Sequence, residues 1–311
     1  MIFQAFGDSS VLQRQVTEVP AIAPGHVIVK MAGAGLNPID YKTRKGLGFV
    51  AAQIKNSLPW TPGYDLSGEI VAVADDVDLW QVGDKVFGMV GFPLAGGACA
   101  EYVCASAGVL VAAPENIPLS DCAAVPLAAL TAWQSLFDAG NLQAGSRVLV
   151  HAAAGGVGHF AVQFAKARQC YVMATASAKN HDFLESLGVD EVIDYQKHDF
   201  TQLCTDIDFV LDSMGGDIGL KSIGVLAKYG QLVTVPTITA QQIIDAGHQQ
   251  HHNVKGITVQ VNVAQLQEIA ALIQDNKVVV SIAQRIPLES LAKGHDLLES
   301  GRTRGKLVVV P

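Results

Sequence analysis

The sequence predicts an α/β protein of two domains, one rich in β-strands and one built on a doubly wound parallel sheet. Up to about residue 115, glycines, prolines and short apolar runs follow one another closely, which is typical of strands joined by turns. From Leu119 onward, short apolar runs alternate with helical patterns, and this alternation predicts a parallel sheet covered by helices. A glycine-rich turn between one of these runs and the next helix supports the same prediction.

The first domain, residues 1–118, is predicted to contain several short strands. Residues 27–31 and 69–73 are apolar runs bounded by turn residues. A Gly-Asp turn at 83–84 leads into a third strand over 85–88, and a fourth follows at 100–103. We expect these strands to form a curled sheet or a partial barrel.

The second domain, residues 119–252, begins with an Ala- and Leu-rich helical segment over 120–138. It ends in a polar segment, 241–252, which we interpret as surface chain. The remaining portion, 253–311, carries an amphipathic helix over 263–276 and a closing strand over 305–310, and we expect it to return to the first domain. The predicted strands of the second domain cover residues 148–151, 171–175, 191–195, 209–212 and 231–235.

Composition limits the classes of partner. The chain has 311 residues, half of them hydrophobic, and a formal net charge of −8, which argues against nucleic acid or an anionic membrane as a partner. No apolar run reaches the roughly 18 residues of a membrane span, and the N-terminal residues lack the basic region of a signal peptide. Five scattered cysteines without a CxxC pair are typical of reduced thiols, so we expect a cytoplasmic location.

The glycine-rich turn reads Ala153-Ala154-Gly155-Gly156-Val157-Gly158 and lies between a predicted strand and a predicted helix. A backbone without Cβ atoms lets a pyrophosphate approach closely, and the helix N-terminus then offers unpaired N–H groups and the positive end of its dipole. We therefore predict a dinucleotide site in which Ala154, Gly155, Gly156 and Val157 surround the pyrophosphate. The alternative is a βαβ turn that merely packs.

The strand after this turn indicates which dinucleotide binds. Proteins that prefer NAD carry Asp or Glu about 20 residues after the fingerprint, where it holds the ribose 2′-hydroxyl. Here the corresponding residues are Thr175, Ser177 and Lys179, with no carboxylate among them. Hydroxyls and an ammonium group suit a 2′-phosphate, so we predict NADPH as the cofactor. The alternative for Lys179 is a solvated surface lysine.

The chain resembles the medium-chain dehydrogenase/reductase superfamily, in its zinc-independent NADPH quinone oxidoreductase and alkenal reductase branch, which is zeta-crystallin-like. The resemblance implies a GroES-like β-rich catalytic domain and a Rossmann cofactor domain. It also implies a homodimer formed through edge strands of the Rossmann sheets, with residues 231–235 in the corresponding part of the chain. The motifs that carry it are residues 37–42 (NPIDYK), 62–68 (PGYDLSG), 83–88 (GDKVFG), 128–133 (AALTAW), 154–158 (AGGVG) and 187–195 (LGVDEVIDY).

The resemblance implies further residues near the cofactor. Tyr195 stands where the family places a phenol against the 2′-phosphate or the adenine ribose. Thr131 stands at a nicotinamide-side position, although an ordinary helix threonine is the alternative. Ser213 and Val235 end two later predicted strands and are candidate neighbours of the adenosine or nicotinamide.

The zinc ligands of the alcohol dehydrogenases in this superfamily are missing. Asn37 stands at the first ligand position, and Gly63-Tyr64-Asp65 replaces the glycine-histidine-glutamate motif. An alkoxide is difficult to stabilise without a metal, whereas reduction of a quinone or an activated C=C bond needs a placed hydride and a proton source. We therefore predict NADPH-dependent hydride transfer to a quinone or an α,β-unsaturated carbonyl compound. An enoyl-thioester reductase and a non-catalytic NADPH-binding sensor or structural protein are the alternatives.

Three residues are candidate catalytic groups in this chemistry. Tyr41 and Tyr64 follow motifs that line the cleft in the family, with packing as the alternative for each. Asn37 is a candidate contact of the nicotinamide or the substrate, and its alternative is a structural role in the turn before Pro38. We expect Asp40 and Asp65 to accept hydrogen bonds from backbone groups rather than to act as catalytic acids. No metal site is predicted.

Overall fold

The computed structural model describes residues 1–311 and divides into two compact units. The first contains Met1–Ala128, Val261–Asn276 and Val280–Pro311, and the second contains Ala129–Gln260 and Lys277–Val279. The second unit thus comes from the middle of the chain, and both ends of the chain belong to the first. None of the helices is long and apolar enough to cross a membrane.

The first unit is built on β-strands, with short helices between them. Elements are numbered along the whole chain. Its strands are β1 (Ile2–Phe3), β2 (Leu12–Gln13), β3 (His26–Leu36), β4 (Asp65–Val73), β5 (Lys85–Met89), β6 (Tyr102–Ser106), β7 (Leu110–Ala112), β14 (Ile282–Pro287) and β15 (Lys306–Val310). Its helices are α1 (Pro38–Arg44), α2 (Gly48–Ile54), α3 (Leu119–Cys122), α9 (Val263–Gln274) and α10 (Leu291–Glu299).

Seven of these strands form one sheet in the order β14-β15-β3-β4-β5-β7, with β6 also paired to β3. β14 and β15 run parallel, and the other pairs are antiparallel. In this register Gly35 lies opposite both Asp65 and Val308, and Leu36 lies opposite Leu307. The end of β3 and the starts of β4 and β15 therefore meet at one place in the sheet.

The second unit is a six-stranded, wholly parallel sheet in the order β10-β9-β8-β11-β12-β13. The strand order reverses between β8 and β11, and ligands of such sheets bind at this point, outside the carboxyl ends of the strands. Its strands are β8 (Arg147–Val150), β9 (Tyr171–Ala176), β10 (Glu191–Asp194), β11 (Ile207–Asp212), β12 (Leu226–Thr234) and β13 (Asn253–Gly256). Its helices are α5 (Gly158–Ala167), α6 (His181–Ser186), α7 (Gly216–Ile223) and α8 (Ala240–Gln249).

The predicted fold class is confirmed. The helical segment predicted over 120–138 contains α3, then α4 (Pro126–Trp133), which is continued by a π-helical turn over Gln134–Ala139. α4 begins in the first unit and ends in the second.

Two details differ from the sequence interpretation. The polar segment 241–252 is largely helix α8, which buries Ile243 and Gly247. Residues 253–256, expected to belong to the portion that returns to the first domain, instead form β13 at the edge of the parallel sheet. The expectation that residues 231–235 provide an edge strand is therefore wrong, because β12 is hydrogen-bonded on both sides, to β11 and to β13.

Candidate functional site

The glycine turn connects β8 to α5 and is held by backbone hydrogen bonds. The N–H of Gly155 donates to the carbonyl of Ala152 at 2.8 Å, and the N–H of Ala153 donates to the carbonyl of Thr175 at 3.2 Å. A Cβ atom at Gly158 would lie 2.6 Å from the Ala152 carbonyl oxygen, which leaves room for glycine alone. Gly155, Gly156 and Val157 are half-buried at the start of the ten-residue helix α5. The Gly155 N–H is thus already engaged, whereas the N–H groups of Gly156 and Val157 make no hydrogen bond within the protein and are open to an anion.

The residues after β9 and β10 lie at the same edge of the sheet as this turn, since all six strands are parallel. Ser177 is half-buried and accepts a hydrogen bond from the Asn180 side chain. Lys179 is exposed and has no ion-pair partner, and Tyr195 is 59% exposed. An uncommitted ammonium, a hydroxyl and a phenol are therefore available here to a bound anion.

Thr175 differs from these candidates because its polar atoms are already used. The side chain is buried, and its hydroxyl oxygen accepts the N–H of Ala152 at 3.3 Å and lies 3.0 Å from Nδ1 of His151. The structure therefore places Thr175 beneath the glycine turn, as a support for it.

The loops after β11 and β12 are held by one buried carboxylate. Asp212 accepts hydrogen bonds from the N–H groups of Met214 and Gly215 and from the hydroxyl of Thr234. Its carbonyl accepts the N–H of Val235 at 2.8 Å. Ser213 is half-buried, and its hydroxyl donates to the carbonyl of His151 at 2.7 Å. Asp212 thus fixes the backbone around the candidate residues Ser213 and Val235.

Thr131 lies on α4 and is 3% exposed. Its carbonyl accepts a hydrogen bond from the Ser135 hydroxyl at 2.6 Å, one turn further along the chain. Thr131 thus lies on the helix that precedes β8 and the glycine turn in the chain.

In the first unit, a buried polar cluster surrounds Asn37. The amide nitrogen of Asn37 donates to Asp65 Oδ2 at 2.8 Å, and its oxygen accepts from Lys306 Nζ. Lys306 also donates to the Leu36 carbonyl at 2.8 Å and lies 3.4 Å from Asp65 Oδ2. All three side chains are 3% exposed or less. The Asn37 side chain therefore links a buried lysine to a buried aspartate.

Asp40 and Asp65 accept backbone hydrogen bonds, as expected. Asp40 accepts the N–H groups of Asn37 at 2.8 Å and Gly63 at 3.3 Å, and Asp65 accepts the N–H of Leu127 at 2.7 Å. Burial raises the pKa of Asp40 to about 7, against the effect of the two N–H groups. Asp40 thus links the start of α1 to Gly63, just before β4, and Asp65 links β4 to the start of α4.

The two candidate tyrosines differ in how they are bound. Tyr64 is 1% exposed, its hydroxyl donates to the Pro93 carbonyl at 3.0 Å, and its ring packs edge-on against Phe92. Tyr41 is half-buried on α1, and its hydroxyl makes no hydrogen bond. Burial, together with the charge of Glu299, raises the pKa of Tyr41, so this phenol keeps its proton and can donate it.

The chain matches known proteins over its whole length. Residues 23–115 match the alcohol dehydrogenase GroES-like domain family, and residues 187–309 match a family described as zinc-binding dehydrogenase. The 2-methylene-furan-3-one reductase of Solanum lycopersicum is 32% identical over 302 residues, which cover 94% of this chain and 74% of that protein. The structure of the quinone oxidoreductase from Coxiella burnetii is 41% identical with a TM-score of 0.96, covering 100% of this chain and 98% of that one.

The chain belongs to the medium-chain dehydrogenase/reductase superfamily, in its quinone oxidoreductase-like branch. The Escherichia coli quinone oxidoreductase complexed with NADPH has the same fold, with a TM-score of 0.89 and 26% identity over 100% of this chain and 99% of that one. The second unit is therefore an NAD(P)H-binding domain, and the protein is an oxidoreductase of this family.

The residues at the superfamily's zinc position do not fit a zinc ion. Zinc in proteins takes cysteine, histidine and carboxylate ligands in a tetrahedral arrangement. Here the oxygens of Asn37 and Asp65 are turned toward the Lys306 ammonium group, which would repel a second cation. No group of three or more His, Cys, Asp or Glu side chains is placed to hold a metal ion.

Three residues of these clusters, Lys306, Asp212 and His151, are not predicted from the sequence. Lys306 begins an apolar closing strand, where a lysine suggests a solvated strand end. Asp212 ends a buried apolar run, and that position was a usable signal, because a carboxylate there must find donors. His151 sits between an apolar strand and the glycine turn, and the sequence does not show which side chains face it.

Replacing Lys306 with Met should destabilise the first unit by about 3–5 kcal/mol, because Asp65 is left buried without a cation. Adding Asp65→Asn to that variant should recover part of the loss, since the uncompensated charge is then removed. Urea unfolding of the single and double variants measures both effects.

Lys197→Met is the matched control, since Lys197 is 71% exposed and its ammonium group forms a long ion pair with Asp194, at 3.8 Å. It should change stability by less than about 1 kcal/mol. A Lys306→Met protein as stable as this control would contradict the charge assignment.

Proposed function

We propose that the chain is a zinc-independent, NADPH-dependent reductase of quinones or α,β-unsaturated carbonyl compounds such as enones and enals. The observation that carries the proposal is the edge of the parallel sheet, where the backbone N–H groups of the glycine turn lie after β8 and the uncommitted Lys179 ammonium lies after β9, with no carboxylate among residues 175–181. Relatives named quinone oxidoreductase and 2-methylene-furan-3-one reductase support the same class of substrate.

We assign the cofactor contacts as follows. Gly156 and Val157 bind the pyrophosphate through their backbone N–H groups, with Ala154 and Gly155 beside them, since the Gly155 N–H is already bonded to the Ala152 carbonyl. Ser177, Lys179 and Tyr195 surround the 2′-phosphate, with Lys179 as the point charge. Thr175 supports the turn through its hydrogen bonds with the N–H groups of Ala152 and Ala153. Thr131, Ser213 and Val235 are assigned to the nicotinamide and adenosine sides.

When bound, NADPH would supply the hydride that reduces the electrophilic carbon of the substrate. The negative charge that would develop on the substrate carbonyl oxygen needs a hydrogen-bond donor, and a proton from a side chain or water must then complete the reduction. Tyr41 is our candidate for this donor, because its hydroxyl is protonated and unengaged. Asn37 and Tyr64 are committed to Lys306, Asp65 and the Pro93 carbonyl, so we assign them to shaping the site.

The protein should oxidise NADPH in the presence of small quinones and enones, and chelators should not reduce the rate. Tyr41→Phe should lower kcat by about tenfold to a hundredfold, because a charge-stabilising hydrogen bond is lost. Absorbance at the nicotinamide band measures turnover, and Tyr102→Phe, on β6, is the matched control.

A crotonyl thioester in the same panel tests the alternative of an enoyl-thioester reductase. Turnover of the thioester alone would favour that alternative. Tight NADPH binding without turnover of any substrate would favour a cofactor-binding sensor or structural protein.

NADPH should bind more tightly than NADH, and Lys179→Ala should weaken NADPH binding by about tenfold while leaving NADH unchanged, because only NADPH carries the 2′-phosphate. Titration by nicotinamide fluorescence measures both affinities. Lys228→Ala is the control, since Lys228 is exposed on β12. Equal affinity of the unaltered protein for both cofactors would refute the assignment.

We also propose a homodimer. β13 is an edge strand, so the backbone N–H and C=O groups on its outer side have no partner strand. Such an edge can pair with the same edge of a second copy. Sedimentation velocity should give twice the 32.8 kDa chain mass, and a species of 32.8 kDa at micromolar concentration would exclude the dimer.

We also propose a cytoplasmic location. All five cysteines are free, which supports this proposal, and cell fractionation tests it.

A further inference from the structure

His151 connects three elements beneath the glycine turn. It follows the last residue of β8 and is 1% exposed. Nδ1 lies 3.0 Å from the Thr175 hydroxyl on β9, and Nε2 lies 2.8 Å from the Ser222 hydroxyl on α7. The ring also packs edge-on against Phe200. Both ring nitrogens are thus engaged by hydroxyl groups.

The direction of these hydrogen bonds follows from the donors available. The Ser222 hydroxyl donates its one hydrogen to the Ile218 carbonyl at 2.7 Å, so it must accept a hydrogen from His151 Nε2. Burial lowers the pKa of His151 to about 4, against the attraction of Asp212, so the ring is neutral near pH 7. Nδ1 is then an acceptor, and the Thr175 hydroxyl donates to it.

The Thr175 oxygen, having given its hydrogen to His151, accepts the N–H of Ala152 at 3.3 Å. Ala152 is strained: its φ is +48°, a left-handed conformation that costs a residue with a Cβ roughly 1 kcal/mol or more. The next N–H, that of Ala153, donates to the Thr175 carbonyl. Thr175 therefore binds both N–H groups at the point where the chain leaves β8 and begins the turn.

We propose that His151 and Thr175 are positioning residues for the cofactor: together they form a hydrogen-bond relay that holds Ala152 in its left-handed conformation and so orients the N–H groups of the glycine turn. The inference rests on the proposed binding of NADPH at that turn. Its consequence is that the acceptor at Nδ1, rather than the volume of the imidazole, is what cofactor binding requires.

Two pairs of substitutions distinguish the hydrogen-bond relay from a packing role of the imidazole. Thr175→Val keeps the shape but removes the hydroxyl, whereas Thr175→Ser keeps the hydroxyl. His151→Asn retains an amide oxygen where Nδ1 stood, and His151→Gln places its amide where Nε2 stood, near Ser222. Thr43→Val is the matched control, since Thr43 is a buried threonine whose hydroxyl has no hydrogen-bond partner.

Thr175→Val and His151→Gln should weaken NADPH binding by about tenfold, while Thr175→Ser, His151→Asn and Thr43→Val stay within about threefold of the unaltered protein. A packing role would give the opposite order for the histidine variants, because Asn leaves the larger cavity. Equal affinities for all variants, or a greater loss for His151→Asn than for His151→Gln, would overturn the inference.

Amide hydrogen exchange in the cofactor-free proteins gives an independent test. Exchange over residues 152–155 should be faster in Thr175→Val and His151→Gln than in the unaltered protein and in the other variants. If the unaltered protein fails to bind NADPH, the proposed function fails, and the exchange rates still decide whether the relay holds the turn. Unchanged exchange in all variants would refute it.

Discussion

Parallel pairing of the six strands of the second unit is the constraint on which its site depends. Because every strand runs in the same direction, the residues that follow β8, β9, β10, β11 and β12 all come to one edge of the sheet. Lys179 and Tyr195 are far from the glycine turn in sequence, yet this arrangement gathers them at the same edge. The reversal of strand order between β8 and β11 then opens a position for a ligand there.

Polar groups buried at the ends of strands give the loops their conformations. A buried donor or acceptor without a partner costs about 1–3 kcal/mol, so each of these groups determines the position of its neighbours. Asp212 holds the backbone after β11 and β12, and Thr175 holds the backbone after β8. In the first unit, Lys306 has the same effect on Asn37 and Asp65. Rigid loops of this kind present a preorganised surface to a ligand.

Local patterns were enough to predict most of the second unit. Strong apolar runs marked β8, β9, β11 and β12, and the glycine turn marked the start of α5. α8 and β13 were missed for physical reasons: α8 is polar on most of its surface, and β13 buries only Val254. Elements with so few buried apolar residues are stabilised by tertiary packing, which no short window of sequence reveals.

Some site residues can likewise be predicted from local sequence, and others depend on long-range contacts. Gly155, Gly156 and Lys179 could be proposed from the sequence, because a glycine turn and a missing carboxylate are local signals. Thr175 was proposed as a cofactor contact for the same reason, but its partner is His151, which lies 24 residues away in the chain. Asn37 and Tyr64 are candidate catalytic groups on the sequence, whereas in the structure their polar atoms are bound to Lys306, Asp65 and the Pro93 carbonyl.

The sequence alone therefore determined the fold class, the family and the position of the glycine turn, since each depends on short local patterns along the chain. The tertiary structure decided which polar side chains are available to a ligand and which are used up within the protein. That distinction depends on strand register: β3, β4 and β15 bring Asn37, Asp65 and Lys306 together from positions up to 269 residues apart, and no local pattern contains such a contact.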